Sequence, residues 1–157
     1  MSSNICAPHL CKLRTTSTLD KNKALYGPQN MFRSSSTEDL CWNSEGSNSP
    51  QSIVVSFIEP ASIEKLGFQF QGGFVGLDTS VSITTTNDAT FQDVTSSFDQ
   101  EIREPEDSMV LQEFATDVTS VPITEVKKLK ITFEKSTDFY GRVTVYNLDI
   151  WASSAAL

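Results

Sequence analysis

The stretch KKLKITFE, Lys127 to Glu134, constrains this chain more than any other. Leu129, Ile131 and Phe133 fall on one side of an extended backbone, and Lys128, Lys130, Thr132 and Glu134 on the other. A strict period of two fits a strand with one face on a core and the other in water, and it does not fit a helix, whose period is 3.6. The same alternation recurs. SIVVSF places Ile53, Val55 and Phe57 on one face, LGFQFQ places Leu66, Phe68 and Phe70 together, and SVSITTT places Val81 and Ile83 together. Proline lacks a ladder donor, so Pro60 is expected to end the first of these. RVTVYNLDIW is apolar on both parities, with Val143 and Val145 on one and Tyr146, Leu148 and Ile150 on the other. Either a bulge or burial on both faces accounts for that switch.

Between the strands lie turn-rich segments, TTNDAT, IREPEDS and EKSTDFYG. Glu101 to Asp107 is the densest acidic run and reads as a solvated loop. No long helical period appears; ITEVKKL has room for a single turn, which Thr124 would cap. Short alternating strands separated by turns point to an all-β, antiparallel sandwich or barrel. Residues 1–18 read as a partly ordered arm or an edge strand around Lys12 to Thr16, and residues 19–157 as a single domain. In YGPQNMF, Gly27-Pro28 signals a turn, and Met31 and Phe32 are suited to plug an apolar gap. The serine-rich stretch that follows is expected to be a loop pinned by Trp42.

Composition then excludes whole classes of function. A net charge of −8 disfavours general nucleic-acid binding, which draws its affinity from basic groups, and gives no reason to expect a local basic patch. The three cysteines, Cys6, Cys11 and Cys41, contain no C-x-x-C and read as reduced thiols. No apolar run approaches the ~20 residues that span a bilayer, no signal peptide is expected, and no Asn-x-Ser/Thr occurs. The single histidine, His9, leaves no natural Ser-His-Asp arrangement, and Cys6-x2-His9-x-Cys11 is not a standard zinc spacing. The expectation is a protein without catalysis. Oxygen ligands between Ser34 and Asn43, among them Glu38 and Asp39, suit a structural calcium ion, though no EF-hand pattern is present; otherwise no cofactor is expected. The Gly72-Gly73 pair lacks the Lys-Ser/Thr of a phosphate loop and opens no helix, so its role reads as backbone freedom at a strand end.

Three separated stretches carry a resemblance: CWNS at Cys41 to Ser44, FQFQGGF at Phe68 to Phe74, and LKITFEKSTDFYGRVTVYNL at Leu129 to Leu148. YGPQNMF followed by TEDLCWNS also looks like the early loop of galactose-binding-like, or discoidin-like, domains. Together they resemble the small nuclear receptor-associated proteins that bind a testicular orphan receptor. That resemblance implies a jelly-roll β-sandwich of about eight strands. It implies a protein partner, a nuclear receptor, and repression through reduced binding of the receptor to its DNA response elements. From charge and cysteine usage, a place in the nucleus or cytoplasm and no direct contact with nucleic acid or membrane are expected, as is a monomer when alone. The wider fold group offers two other roles: an adaptor subunit of a ciliary transport or ubiquitin-ligase assembly, and a carbohydrate- or lipid-binding module.

Candidate contact residues follow from position. Trp42 is either a core plug or a ligand platform, and the plug is favoured. Phe68 and Phe70 are expected inward; Gln69 and Gln71 lie opposite them, facing water or lining a groove. Arg142 is expected to pair with Asp138 or Glu134, the alternative being a clamp for a partner's carboxylate. Of Phe139 and Tyr140, one is expected to be buried and the other to serve as a contact anchor.

Overall fold

The computed structural model describes residues 2–32, 40–117, 119 and 122–153. Its strands are β1 (Ser2–Asn4), β2 (Cys11–Thr15), β3 (Trp42–Asn43), β4 (Gln51–Phe70), β5 (Gly76–Thr85), β6 (Gln92–Asp93), β7 (Gln112–Ala115), β8 (Ile123–Ser136) and β9 (Thr144–Ser153). The helix α1 (Lys23–Tyr26) and a few 3₁₀ turns complete the described elements. Every strand pairing is antiparallel.

β4 organises the fold. Its first half lies between β2 and β8, and β8 continues to β5 and β6. Its second half lies between β7 and β9, and β9 carries β1 and β3 on its far edge. One strand therefore belongs to both layers of an antiparallel jelly-roll sandwich. Pro60 does not end this strand, as expected from its missing N–H, but sits where the strand changes layer. The register jumps there from Ser56↔Lys128 to Ala61↔Val126, and Glu59 and Pro60 stand exposed outside the ladders, where no donor is needed.

The inner faces are those the alternation marks. Ile53, Val55, Leu129, Ile131 and Val81 are fully buried on one layer, and Leu66, Phe68, Phe70, Leu148 and Ile150 on the other. Phe133 of β8 bridges the layers, its ring edge-on to Phe68 at 6.0 Å and to Phe70 at 5.8 Å. Phe68 and Phe70 stack at 5.5 Å, and Phe114 of β7 adds a fourth ring 6.1 Å from Phe68. The parity switch in β9 is a bulge: Gln69 opposes Asn147 but Phe70 opposes Val145, leaving Tyr146 as the extra residue. Both parities thereby turn apolar side chains to one core.

The single helical turn expected in ITEVKKL does not form. Those residues belong to β8, which has β5 on one side and β4 on the other, and two neighbouring ladders outweigh one local turn. The irregularity shows instead as Glu125 at φ 56, whose carbonyl accepts from the Thr86 N–H at 3.0 Å. Within residues 2–15, β1 joins β9 and β2 joins β4, so this segment is built into both layers. Met31 and Phe32 are buried in the core, as their suggested role as an apolar plug requires.

Candidate functional site

Three connections meet at one end of the sandwich: the turn after β4, the loop between β8 and β9, and the segment after β3. The first is a tight turn in which the Phe74 N–H bonds to the Gln71 carbonyl at 3.0 Å. Gly73 supplies the φ of +85° that this turn needs, and its N–H bonds to Asp107 Oδ1 at 2.7 Å. Gly72 has room for a methyl group, the nearest atom being Met109 Cγ at 3.6 Å, so only one glycine of the pair is demanded by geometry. The acidic run enters here too: it is exposed, but Asp107 tethers it to Gly73 and Glu104 Oε1 accepts from the Asp78 N–H at 3.1 Å. Buried Ile102 anchors it from below.

The β8–β9 loop is built around Asp138. Its Oδ2 accepts from the Arg142 backbone N–H at 3.0 Å and from Arg142 Nε at 3.1 Å, while its own N–H bonds to Ser136 Oγ at 3.0 Å. Partial burial pushes the Asp138 carboxyl pKa up, but the Arg142 hydrogen bonds and charge outweigh it, and the net shift is below the ordinary carboxylate value. Arg142 thus takes the first of its two sequence-offered partners. Its guanidinium lies over the Phe74 ring at 5.2 Å and the Tyr140 ring at 5.8 Å. Gly141, at φ +82°, is the second turn glycine, and Asn48 packs against it.

This loop presents its aromatics outward. Phe139 is 85% exposed and Tyr140 60% exposed, in edge-on contact at 5.2 Å. The expectation that one would be buried is corrected: the Asp138–Arg142 clasp closes the loop from within, and neither ring is needed as its plug. A hollow of about 340 Å³ adjoins Phe139, bordered also by Asn48, Thr137 and Asp138. The arrangement suits packing against a planar or apolar partner surface, with a fixed cation beneath.

The structure brings Phe139, Tyr140 and Arg142 together, with Gln71 at the neighbouring turn through its N–H to Thr144 O at 3.0 Å. Gln69 stands apart, on the outer face of the second layer, where its Oε1 accepts from Asn147 Nδ2 at 2.7 Å. Trp42 is fully buried and its indole N–H donates to the Ser17 carbonyl at 3.0 Å. Phe74 was not singled out by the sequence; its place at the end of an alternating run was the available signal. His9 is exposed between β1 and β2. All three cysteines are free and buried, and burial pushes the Cys41 thiol pKa up. The Cys6 thiol is pushed up first by the hydrogen bond it donates to Cys11 and then by burial. Among the described residues no cluster of three or more His, Cys, Asp or Glu is placed to hold a metal. Ser34, Glu38 and Asp39 of the suggested calcium loop lie outside the described residues, while Asn43 lies in β3.

No family model matches the chain. Solved structures agree in fold. They include the family 32 carbohydrate-binding module of C. perfringens NanJ in complex with galactose, with TM-score 0.72, 14% identity, and 96% and 99% of the two chains covered. An F5/8 type C domain from Bacteroides fragilis aligns with TM-score 0.73 at 11% identity, covering 98% of each chain. At such identities the likeness establishes the discoidin-like β-sandwich alone. Sequence relatives reach further. A zebrafish (Danio rerio) protein named nuclear receptor 2C2-associated protein is 35% identical over 137 residues, 87% of both chains. The mouse (Mus musculus) protein of that name is 34% identical over 142 residues, 90% of this chain and 91% of its own. With sequence and fold agreeing along nearly the whole length, this chain belongs to the nuclear receptor 2C2-associated protein family.

Proposed function

We propose that this protein is a non-catalytic β-sandwich that binds a nuclear receptor and lowers the receptor's hold on its DNA response elements. The observation that carries the reading is the name shared by relatives that match almost the full chain. The physical case is compatible with it. A chain of net charge −8 does not compete for DNA, but it complements the basic surface by which a receptor grips DNA. The Phe139–Tyr140 pair gives that encounter an aromatic anchor at the rim.

The test uses purified chain and an orphan nuclear receptor on its labelled response element. Adding the chain is expected to lower the fraction of DNA bound, and affinity capture from native cells is expected to recover the receptor. A ternary complex with undiminished DNA binding would remove repression through DNA release while keeping the association. No association at all, with ciliary or ligase subunits captured instead, would replace the reading by an adaptor role.

A second reading rests on the fold neighbours. The NanJ module was solved with galactose, and this chain presents exposed rings at its rim. Saturable binding of galactose, lost in Tyr140→Ala, would favour a carbohydrate-binding module.

A further inference from the structure

Among the described residues the outer edge of β2 has no partner strand, and it has a chemistry that the chain's net charge of −8 conceals. Register assembles cations that sequence keeps far apart. Lys12 opposes Ser56, which opposes Lys128; Arg14 opposes Val54, which opposes Lys130. Directly opposed residues project from the same face, with strands about 4.8 Å apart. Four basic side chains therefore share an area of about 10 by 7 Å on the outer face of the first layer. Lys12, Arg14 and Lys128 are exposed, and among the described residues none of them is in an ion pair. Lys130 lies over the Phe91 ring at 5.5 Å. The nearest acid on this lattice is Asp93, beyond Lys130 and opposite Ser82, where its Oδ1 already accepts from the Thr95 N–H at 2.8 Å.

The same edge offers backbone. Ile58 N–H bonds to Leu10 O and Thr16 N–H to Ser52 O, both at 3.0 Å, so the even-numbered residues of β2 make its ladder with β4. The N–H and C=O of Leu13 consequently point away from β4. They point along a hollow of about 600 Å³ whose apolar wall is Pro8, Leu13 and Phe32 and whose basic wall is Lys12, Arg14 and Lys128.

We propose that this edge binds an acidic, extended segment of a protein partner, added as an antiparallel strand to β2 with the pattern acid–apolar–acid. The middle residue bonds to the Leu13 backbone and packs beside Leu13 and Phe32. The two acids fall opposite Lys12 and Arg14, with Lys128 one strand further in. Lysine and arginine on an open edge repel most incoming strands, so the edge selects the anionic one. A long polyanion is excluded because it would overhang the acidic remainder of the surface. The site shares no residue with the Phe139–Tyr140 rim and does not depend on which protein carries the segment, so it goes beyond the receptor reading.

The experiment titrates the full chain into a fluorescent synthetic peptide with an Asp-Leu-Glu centre flanked by alternating threonine and valine. Saturable binding is expected, with amide shifts centred on residues 11–15. Three changes should each weaken it by about tenfold or more: grouping the two acids together at one end of the peptide, N-methylating the central leucine amide, and the protein change Lys12→Glu/Arg14→Glu. Phe139→Ala should leave it unchanged. The N-methyl peptide uses the unmodified protein, so its result is independent of whether the double variant folds. Absence of saturable binding, or equal binding of the rearranged or N-methylated peptide, would overturn strand addition at this edge.

Discussion

Two groups of aromatic rings in this molecule are put to opposite use. Phe68, Phe70, Phe114 and Phe133 lie between the layers, each within about 6 Å of a neighbouring ring and almost without solvent contact. Phe139 and Tyr140 touch each other at 5.2 Å but face water. The inner group is held by sheet register, which places every second residue of β4 and β8 on one face. The outer group is held by a polar clasp, Asp138 with Arg142, which needs nothing from either ring. Aromatic burial here stabilises the fold; aromatic exposure is a cost the fold does not require, and it points to a surface kept for contact.

The sharpest way to break the comparison is from the inside. Phe70→Ala removes a fully buried ring that contacts both Phe68 and Phe133, and should cost about 3–5 kcal/mol. For a domain of ordinary stability, about 5–15 kcal/mol, that is a large share. Chemical denaturation should show a much lower midpoint with a similar slope. An unchanged midpoint would show that Phe70 does not face the core.

The opposite change tests the same packing. A Cβ at Gly76 would overlap the Phe133 ring at Cδ1 and Cγ. Gly76→Ala should therefore force Phe133 off its position and cost about 1–3 kcal/mol. Full retention of stability would mean that the ring cluster has slack. Gly72→Ala, with its nearest neighbour at 3.6 Å, is the control and should be nearly silent.

Much of this inner region is legible in sequence because period two has a single physical meaning. Leu129, Ile131, Phe133, Phe68 and Phe70 all lie where alternation puts them. What sequence misses is what depends on register between distant strands. Pro60 looks like a stop because a proline's missing donor is visible and the change of layer that makes the donor unnecessary is not. One of Phe139 and Tyr140 looks buried because sequence offers Asp138 as a partner for Arg142 but does not show that this pair closes the loop without either ring. The cations at positions 12, 14, 128 and 130 become one patch only through two ladders with β4.

The clasp itself titrates. Asp138 has a pKa below the ordinary carboxylate value, so its pairing contributes stability that is present above that value and lost as the pH falls through the depressed one. The effect is confined to the acid limb below about pH 4 and, for a pair with Arg142 partly in solvent, amounts to about 1 kcal/mol or less. Asp138→Asn should lower stability slightly at neutral pH and flatten the acid limb. An identical acid limb in both proteins would remove the clasp's electrostatic role.

The smallest effect expected on stability is also the most informative about function. Phe139→Ala removes a ring that is 85% exposed and touches chiefly Tyr140, so melting should shift by no more than surface substitutions do, about 0.5 kcal/mol either way. A core phenylalanine changed in the same way loses several times that. If the rim exists for contact, the same variant should weaken receptor association about tenfold or more, because removing an exposed aromatic anchor takes little from the fold and a great deal from the interface. Measuring both quantities on one variant separates the two uses of aromatic rings. A destabilised Phe139→Ala would place that ring with the core group. A stable variant that binds as well as the parent protein would leave the rim without a part in the association.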